Sequence, residues 1–316
     1  MKIVEEQELR ELVSEAHALE AVEIAFRGLS EGKVVQPPPI GMELEEVRGE
    51  VHVKGACVLG ETVFAMKVAS GFYTNPERGL PTGSGLLMVF DATTGFPLAL
   101  LLDNSYLTEL RTGAAGALAA QLLSPDRPLR VGLIGAGSQA RYQMRAIARV
   151  RTLAQVRVWS PVPEELSAYE AEMGPALDVP VQGVSTPREA VKDADLVVTV
   201  TPSREPLLEL SWLSEGATVI AVGSDGPEKQ ELAPEILAAA GKVVVDSRAQ
   251  CLSLGETHHA VAAGLMAPES IHAELGEVLL GMRAAREGDE LIVCDLTGVG
   301  AQDAAMAGIV WKLLEG

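Results

Sequence analysis

Residues 129–150, LRVGLIGAGSQARYQMRAIARV, constrain the fold of this 316-residue chain more than any other stretch. The apolar run 131–134 has strand length and no helical spacing, and it stops at Gly135-Ala136-Gly137, where the backbone must turn tightly. A helix is predicted to follow. Ser138 is placed to cap it, and Ala140, Met144, Ile147 and Ala148 recur at helical spacing while Arg141, Arg145 and Arg149 fall on another face. Gly135 permits the turn, Gly137 lets backbone N–H groups approach a pyrophosphate, and Ala140 stands where a dinucleotide fingerprint has its third glycine. The helix N-terminus adds partial positive charge. A second β-rich run, 155–159, lies at the spacing of a βαβ unit, so Gly135, Ala136, Gly137, Ser138 and Gln139 are predicted to bind a dinucleotide.

The pattern differs on the two sides of a Pro-rich segment, 124–128. Before it come a helical pattern over 5–30 broken into two pieces, an extended Pro37-Pro38-Pro39 linker, and β-like runs at 51–59, 62–68, 85–90 and 96–102, the last two joined by a turn at 91–95. Helical pieces at 105–123 flank this hairpin-rich sheet, and residues 1–120 read as an α+β domain without a nucleotide turn. After it, strands at 131–134, 155–159, 179–184, 196–200, 218–222 and 242–246 alternate with helical segments. This predicts an α/β, Rossmann-type doubly wound parallel sheet over residues 121–302. A strand at 291–296 and an amphipathic helix at 303–314 complete the chain, with residues 303–316 expected to return to the first domain.

Composition removes several function classes. Net charge is −19 with no basic cluster, which opposes a nucleic-acid phosphate backbone. No window approaches ~18–20 apolar residues free of charge, so no membrane span is expected. The acidic, amphipathic start MKIVEEQELRELV lacks the form of a signal peptide, and a cytoplasmic protein is expected. Cys57, Cys251 and Cys294 are far apart and read as packing residues, and the adjacent pair His258-His259 has no third ligand in register, so no metal is expected.

Two cations stand in apolar surroundings, Lys67 in VFAMKVASGF and Arg111 in YLTELRTGAAGALAA. A buried cation needs an anion, either in an internal ion pair or on a substrate carboxylate, for which Arg offers a fork and Lys a point charge. Ligands of doubly wound sheets bind at the carboxyl ends of strands, which draws attention to Thr201 and to Asp225 in VGSDGPEKQEL. Asp225 is a turn residue on composition alone, yet at such a strand end it could move protons, and Lys229 could reach it or the cofactor. The acidic residue expected after the second strand is missing. Ser160 stands there and tolerates a ribose 2′-phosphate without an Arg to bind one, which leaves NAD and NADP both open.

With Lys67, LTELRTGAAGALAA, GLIGAGSQA and GSDGPEKQEL in this order, the sequence resembles the ornithine cyclodeaminase/mu-crystallin family over nearly its whole length. The resemblance implies a nicotinamide enzyme working at the Cα–N bond of an amino or imino acid, and a homodimer formed through the amino-terminal, substrate-binding domain. It implies that Lys67 and Arg111 bind the substrate carboxylate, Asp225 is the catalytic acid/base with Lys67 beside it, and Lys229 touches the cofactor. Three positions depart from ornithine-cyclising relatives. Gly41-Met42 replaces an expected Arg, Leu296 an expected Ser, and Lys54 an expected acidic residue. On whichever face of its alternating strand Lys54 points inward, it disfavours a diamine and suits an imino acid with a small or anionic side chain. Reduction of an α-imino acid is therefore favoured over ornithine cyclisation, with a non-catalytic, crystallin-like binder as a third reading.

Overall fold

The computed structural model describes residues 1–315. It divides into two compact units, Met1–Arg111 with Val299–Gly316, and Thr112–Gly298. The division falls inside a helix, at Arg111/Thr112, rather than in the Pro-rich segment at 124–128 that the sequence pattern indicated.

The first unit begins with a strand the sequence did not announce, β1 (Lys2–Glu5), before α1 (Glu6–Leu12) and α2 (Glu15–Ser30). Ser14 caps α2 by accepting from the His17 N–H while His17 Nδ1 accepts from the Ser14 N–H. The buried face of α2 carries Ala18, Ala21, Val22, Ala25 and Phe26. There follow β2 (Val34–Val35), β3 (Ile40–Leu44), β4 (Gly49–Val58), β5 (Val63–Phe72), β6 (Gly83–Asp91) and β7 (Pro97–Leu102). They form one sheet in the order β1-β7-β6-β5-β4-β2, with β3 also on β4. The β6/β7 turn is closed by Asp91, whose Oδ1 accepts from the Thr93 and Thr94 N–H groups at 2.8 and 2.7 Å. Helix α3 (Tyr106–Leu123) carries Arg111 in its second turn.

The second unit runs β8 (Leu129–Ile134), α4 (Ser138–Val150), β9 (Leu153–Trp159), α5 (Pro163–Leu177), β10 (Val181–Gly183), α6 (Pro187–Val191), β11 (Leu196–Thr199), β12 (Arg204–Leu208), β13 (Thr218–Ala221), β14 (Gln230–Leu232), α7 (Pro234–Ala239), β15 (Lys242–Val245), α8 (Arg248–Cys251), α9 (Gly255–Ala262), β16 (Ala273–Glu274), α10 (Leu275–Leu279) and β17 (Ile292–Asp295). Eight of these strands make a wholly parallel sheet in the order β10-β9-β8-β11-β13-β17-β15-β16, as the alternation of elements requires. Its strands are short apolar runs because both faces are covered, and Val197, Val219, Val243, Val245 and Val293 sit in one core. Chain order reverses direction between β8 and β11. That switch point is where such sheets bind ligands.

The closing helix α11 (Gly300–Glu315) belongs to the first unit and packs on α2, β4 and β5. Its first residue lies so close to β4 that a Cβ at Gly300 would stand 2.7 Å from the Gly55 carbonyl oxygen. Glycine is needed there, and the close approach carries Asp303 to the sheet face that bears Lys67.

Candidate functional site: a dinucleotide turn and a buried cationic cluster

In the second unit the turn after β8 has the form the sequence demanded. Gly135 has φ +107° beside Val200, and a Cβ there would stand 3.0 Å from the Val200 carbonyl oxygen. At Gly137 a Cβ would meet nothing within 4 Å, so the space in front of α4 is open. One expectation is corrected: Gly137 is the capping residue of α4, with no side-chain cap, and Ser138 is the first helical residue. The N–H groups of the first turn are therefore not closed off by a side-chain cap, which suits a phosphate better than a capped end would. Ala140 is fully buried, as its place in the fingerprint requires. These features fit a dinucleotide pyrophosphate at residues 135–139.

Ser160 is buried at the carboxyl end of β9, where its Oγ donates to Glu165 Oε2 at 2.8 Å and accepts from the Val162 N–H at 3.2 Å. An acidic side chain, Glu165 in the first turn of α5, thus stands against Ser160, five residues on in sequence.

Thr201 follows β11, its N–H donating to Glu231 Oε1 at 2.6 Å. Glu231 also accepts from Thr199 Oγ1 at 2.6 Å and from the Gly223 N–H at 2.9 Å. One fully buried carboxylate therefore ties together the ends of β11 and β13. Burial pushes its carboxyl up to about 7 against the pull of those donors. Glu256, buried beneath it, accepts from the Glu231 and Leu232 N–H groups at 2.8 and 3.1 Å, and burial and the charge of Glu231 raise its carboxyl too.

Asp225 stands on the loop after β13, and Lys229 Nζ donates to its Oδ1 at 2.7 Å. Lys229 is 9% exposed at the side chain and Asp225 39%, so the carboxylate is the accessible member of the pair. Ser224 Oγ donates to the Lys229 carbonyl at 2.5 Å, and His259 Nε2 lies 2.8 Å from the same oxygen. His259 thus serves the loop. Among the described residues no group of three or more His, Cys, Asp or Glu side chains is arranged to hold a metal.

In the first unit, Lys67 and Arg111 come together on one carboxylate. Lys67 Nζ lies 3.1 and 2.9 Å from the two oxygens of Asp303, and Arg111 Nε donates to Asp303 Oδ1 at 3.0 Å. All three side chains are almost wholly buried. Gln302 Oε1 accepts from Arg111 Nη1 at 3.4 Å and from the Val299 N–H at 3.0 Å. Burial alone raises the Asp303 carboxyl, but Arg111 and Lys67 outweigh it and hold it below the usual carboxylate range. Lys67 is pulled down to about 7, by burial first and then by Arg111, with Asp303 opposing. Lys54, whose side was undecided from sequence, pairs directly with Lys67 in the β4/β5 register and is 6% exposed, so it joins this cluster. Asp303 was not singled out. A lone carboxylate in the alanine-rich segment GVGAQDAAMA was the signal, the same one that marked Arg111.

The family model for the ornithine cyclodeaminase/mu-crystallin family matches residues 1–316. The chain belongs to this family. It is 35% identical to an archaeal alanine dehydrogenase dimer solved with bound NAD, covering 100% of this chain and 96% of that one at a TM-score of 0.92. The Δ1-pyrroline-2-carboxylate reductase of Thermococcus litoralis, in complex with NADH and L-proline, is 30% identical over 100% and 98% of the two chains, with a TM-score of 0.94. The iminosuccinate reductase of Paracoccus denitrificans, in complex with NAD+, is 33% identical over 100% and 96%, with a TM-score of 0.90. This member of the ornithine cyclodeaminase/mu-crystallin family is accordingly a nicotinamide-dependent enzyme of the Cα–N bond in amino or imino acids.

Proposed function

We propose that the chain reduces an α-imino acid to the amino acid with NADH, and that Lys67 and Arg111 hold the α-carboxylate. The observation that carries this reading over ornithine cyclisation is Lys54, a buried cation directly opposite Lys67 where a diamine would need negative charge. Two like charges in a water-poor site cost several kcal/mol, so a second substrate ammonium is rejected.

Residues 135–139 would hold a nicotinamide dinucleotide, which when bound would supply the hydride for the imine carbon. Arg111 orients the carboxylate through its planar fork, and Lys67 adds a point charge to the same anion. Asp225, the more accessible member of its pair with Lys229, exchanges the proton of the substrate nitrogen. Lys229 acts through Asp225, setting its charge and direction. Thr201 meets the dinucleotide from the end of β11. The carboxylate of Glu165, held by Ser160, accepts the ribose hydroxyls of NAD and repels a 2′-phosphate, which favours NAD over NADP. The physiological form is a cytoplasmic homodimer, with residues 1–120 and the closing helix as the substrate-binding and dimerising part.

The test is stoichiometry. Pyruvate, glyoxylate or oxaloacetate with ammonium, and cyclic imines, are offered with NADH, and amino acid is counted against cofactor oxidised. One amino acid per NADH is expected. Proline and ammonia from ornithine with no net NADH change would replace the reading by cyclodeamination.

A further inference from the structure

The dinucleotide turn is held by a side chain that lies outside its glycine motif. Arg141, one turn into α4, donates from Nη1 to the carbonyl oxygens of Ala136 at 2.6 Å and Gly137 at 3.0 Å. A trans peptide sets its C=O and the following residue's N–H on opposite sides of one rigid plane. No cis bond occurs among the described residues. Fixing these two oxygens on Arg141 therefore turns the N–H groups of Gly137 and Ser138 away from it. Ser138 is the first helical residue, so its N–H has no acceptor inside α4, and the space beside Gly137 is open. The same contact occupies the negative ends of both carbonyls with a cation, which removes their repulsion of a phosphate.

Arg141 is itself held in place. Its Nε donates to Glu172 Oε2 on α5 at 2.6 Å, its guanidinium lies 5.2 Å from the centroid of the Tyr169 ring, and Tyr169 Oη donates to the Ala140 carbonyl at 3.3 Å. The Arg141 hydrogen bond is the main cause that holds the Glu172 carboxyl below the usual carboxylate range, with burial opposing and Arg145 adding less. Arg145 supplies an internal comparison. It lies one helical turn further on and reaches the other oxygen of Glu172 at 2.7 Å, yet it donates to neither carbonyl of the turn. Exposed ion pairs contribute little to stability, so pairing with Glu172 does not set the two arginines apart. The contact with Ala136 and Gly137 does.

We propose that Arg141 is a positioning residue for the nicotinamide dinucleotide, holding the Ala136 and Gly137 carbonyls so that the N–H groups following them face the pyrophosphate. The inference rests on the reading of residues 135–139 as the dinucleotide site and adds the side chain that sets its geometry. Arg141 acts through the backbone and takes no part in hydride or proton transfer. Glu172 and Tyr169 act one step further back, by keeping the guanidinium against the turn.

The experiment titrates NADH into the parent, Arg141→Met, Arg141→Lys, Arg145→Met and Gly137→Asp, followed by cofactor fluorescence, with urea unfolding of each variant alongside. Arg141→Met is expected to weaken NADH binding about tenfold, because two donors to a charged pyrophosphate lose their fixed direction. Arg145→Met loses the same Glu172 pairing and should stay within about twofold of the parent. Arg141→Lys keeps the charge but cannot bridge Glu172 and both carbonyls, and should fall between the two. Phosphorus NMR of bound NAD+ gives a readout that a merely structural role would not move: the pyrophosphate resonances should shift in both Arg141 variants and not in Arg145→Met. Parent-like affinity in Arg141→Met, or an equal loss in Arg145→Met, overturns the inference, and weakened binding in Gly137→Asp then leaves the dinucleotide site in place. Should Arg141→Met not fold, Arg141→Lys decides, and parent-like affinity with unshifted resonances overturns the inference. Unchanged binding in folded Gly137→Asp overturns both.

Discussion

Asp303 in the first unit and Glu231 in the second are buried to the same degree, 2% and 0% exposed, and they carry opposite lessons. Asp303 lies among Lys67, Arg111 and Lys54, and its carboxyl is held down despite burial. Glu231 is met by two backbone N–H groups and a hydroxyl, and its carboxyl is pushed up to about 7. Burial therefore does not decide whether a carboxyl is charged; the partners do. The first arrangement is a buried ionic cluster in which the surrounding cations keep the carboxylate charged. The second is a clamp between two strand ends, and it keeps Thr201 and the loop of Asp225 in place.

The contrast is broken most forcefully at Asp303. Asp303→Asn leaves three buried cations without their carboxylate, and removing one partner of a buried ionic group typically costs ~3–5 kcal/mol. Urea unfolding at neutral pH should show a loss of that size. A loss below about 1 kcal/mol would mean that water or another acid already neutralises the cluster.

Glu231→Gln should cost less, about 1–3 kcal/mol, because it exchanges hydrogen-bond acceptors without stranding a charge. Its signature is the pH dependence. The folded-state carboxyl is raised from 4.5 to about 7, so the folded chain keeps a proton that the unfolded chain releases. The contribution of Glu231 is complete below about 4.5, falls as pH rises towards 7 and is lost above it. Unfolding measured at pH 4.5 and pH 8 should show a smaller difference in Glu231→Gln than in the parent; an unchanged difference would mean that Glu231 is ionised throughout.

Lys67 gives the opposite sign. Its pKa is lowered from 10.5 to about 7, so the folded chain holds fewer protons than the unfolded one between those values and its contribution to stability increases with pH across that window. Anion binding needs the protonated form. KM for the imino acid should therefore rise several-fold from pH 7 to pH 9, and a flat KM would place the carboxylate elsewhere.

The effects at the cofactor turn are smaller. Gly137→Asp sets a carboxylate against the pyrophosphate at the start of α4 and should weaken NADH binding by about 1 kcal/mol or more, read by fluorescence titration. Glu165→Gln should narrow the preference for NADH over NADPH by several-fold without changing KM for the imino acid.

The turn at 135–137 was legible because few residue sets permit a strand to stop, reverse and start a helix in three residues, and Gly135 at φ +107° is such a case. The parallel sheet followed from strands and helices in alternation. Lys67 and Arg111 were legible as charges without a local reason. Their partner in the fold, Asp303, was harder to find because the pairings span 236 and 192 residues. Glu231 sits in an acidic, ordinary-looking stretch, and only the tertiary fold separates it from solvated neighbours. The strand β1 escaped because four residues, three of them exposed, carry almost no periodic signal.

The most direct test of the cationic cluster as the carboxylate site is calorimetric titration of the NAD+-loaded protein with aspartate, alanine and ethylamine, in the parent and in Arg111→Lys. The account predicts that the two acids bind and the amine does not, and that Arg111→Lys weakens both acids at least tenfold while the NAD+ affinity is retained. Ethylamine binding as tightly as alanine, or acids binding Arg111→Lys as they bind the parent, would contradict it and leave Lys67, Arg111 and Asp303 as an internal ion network alone.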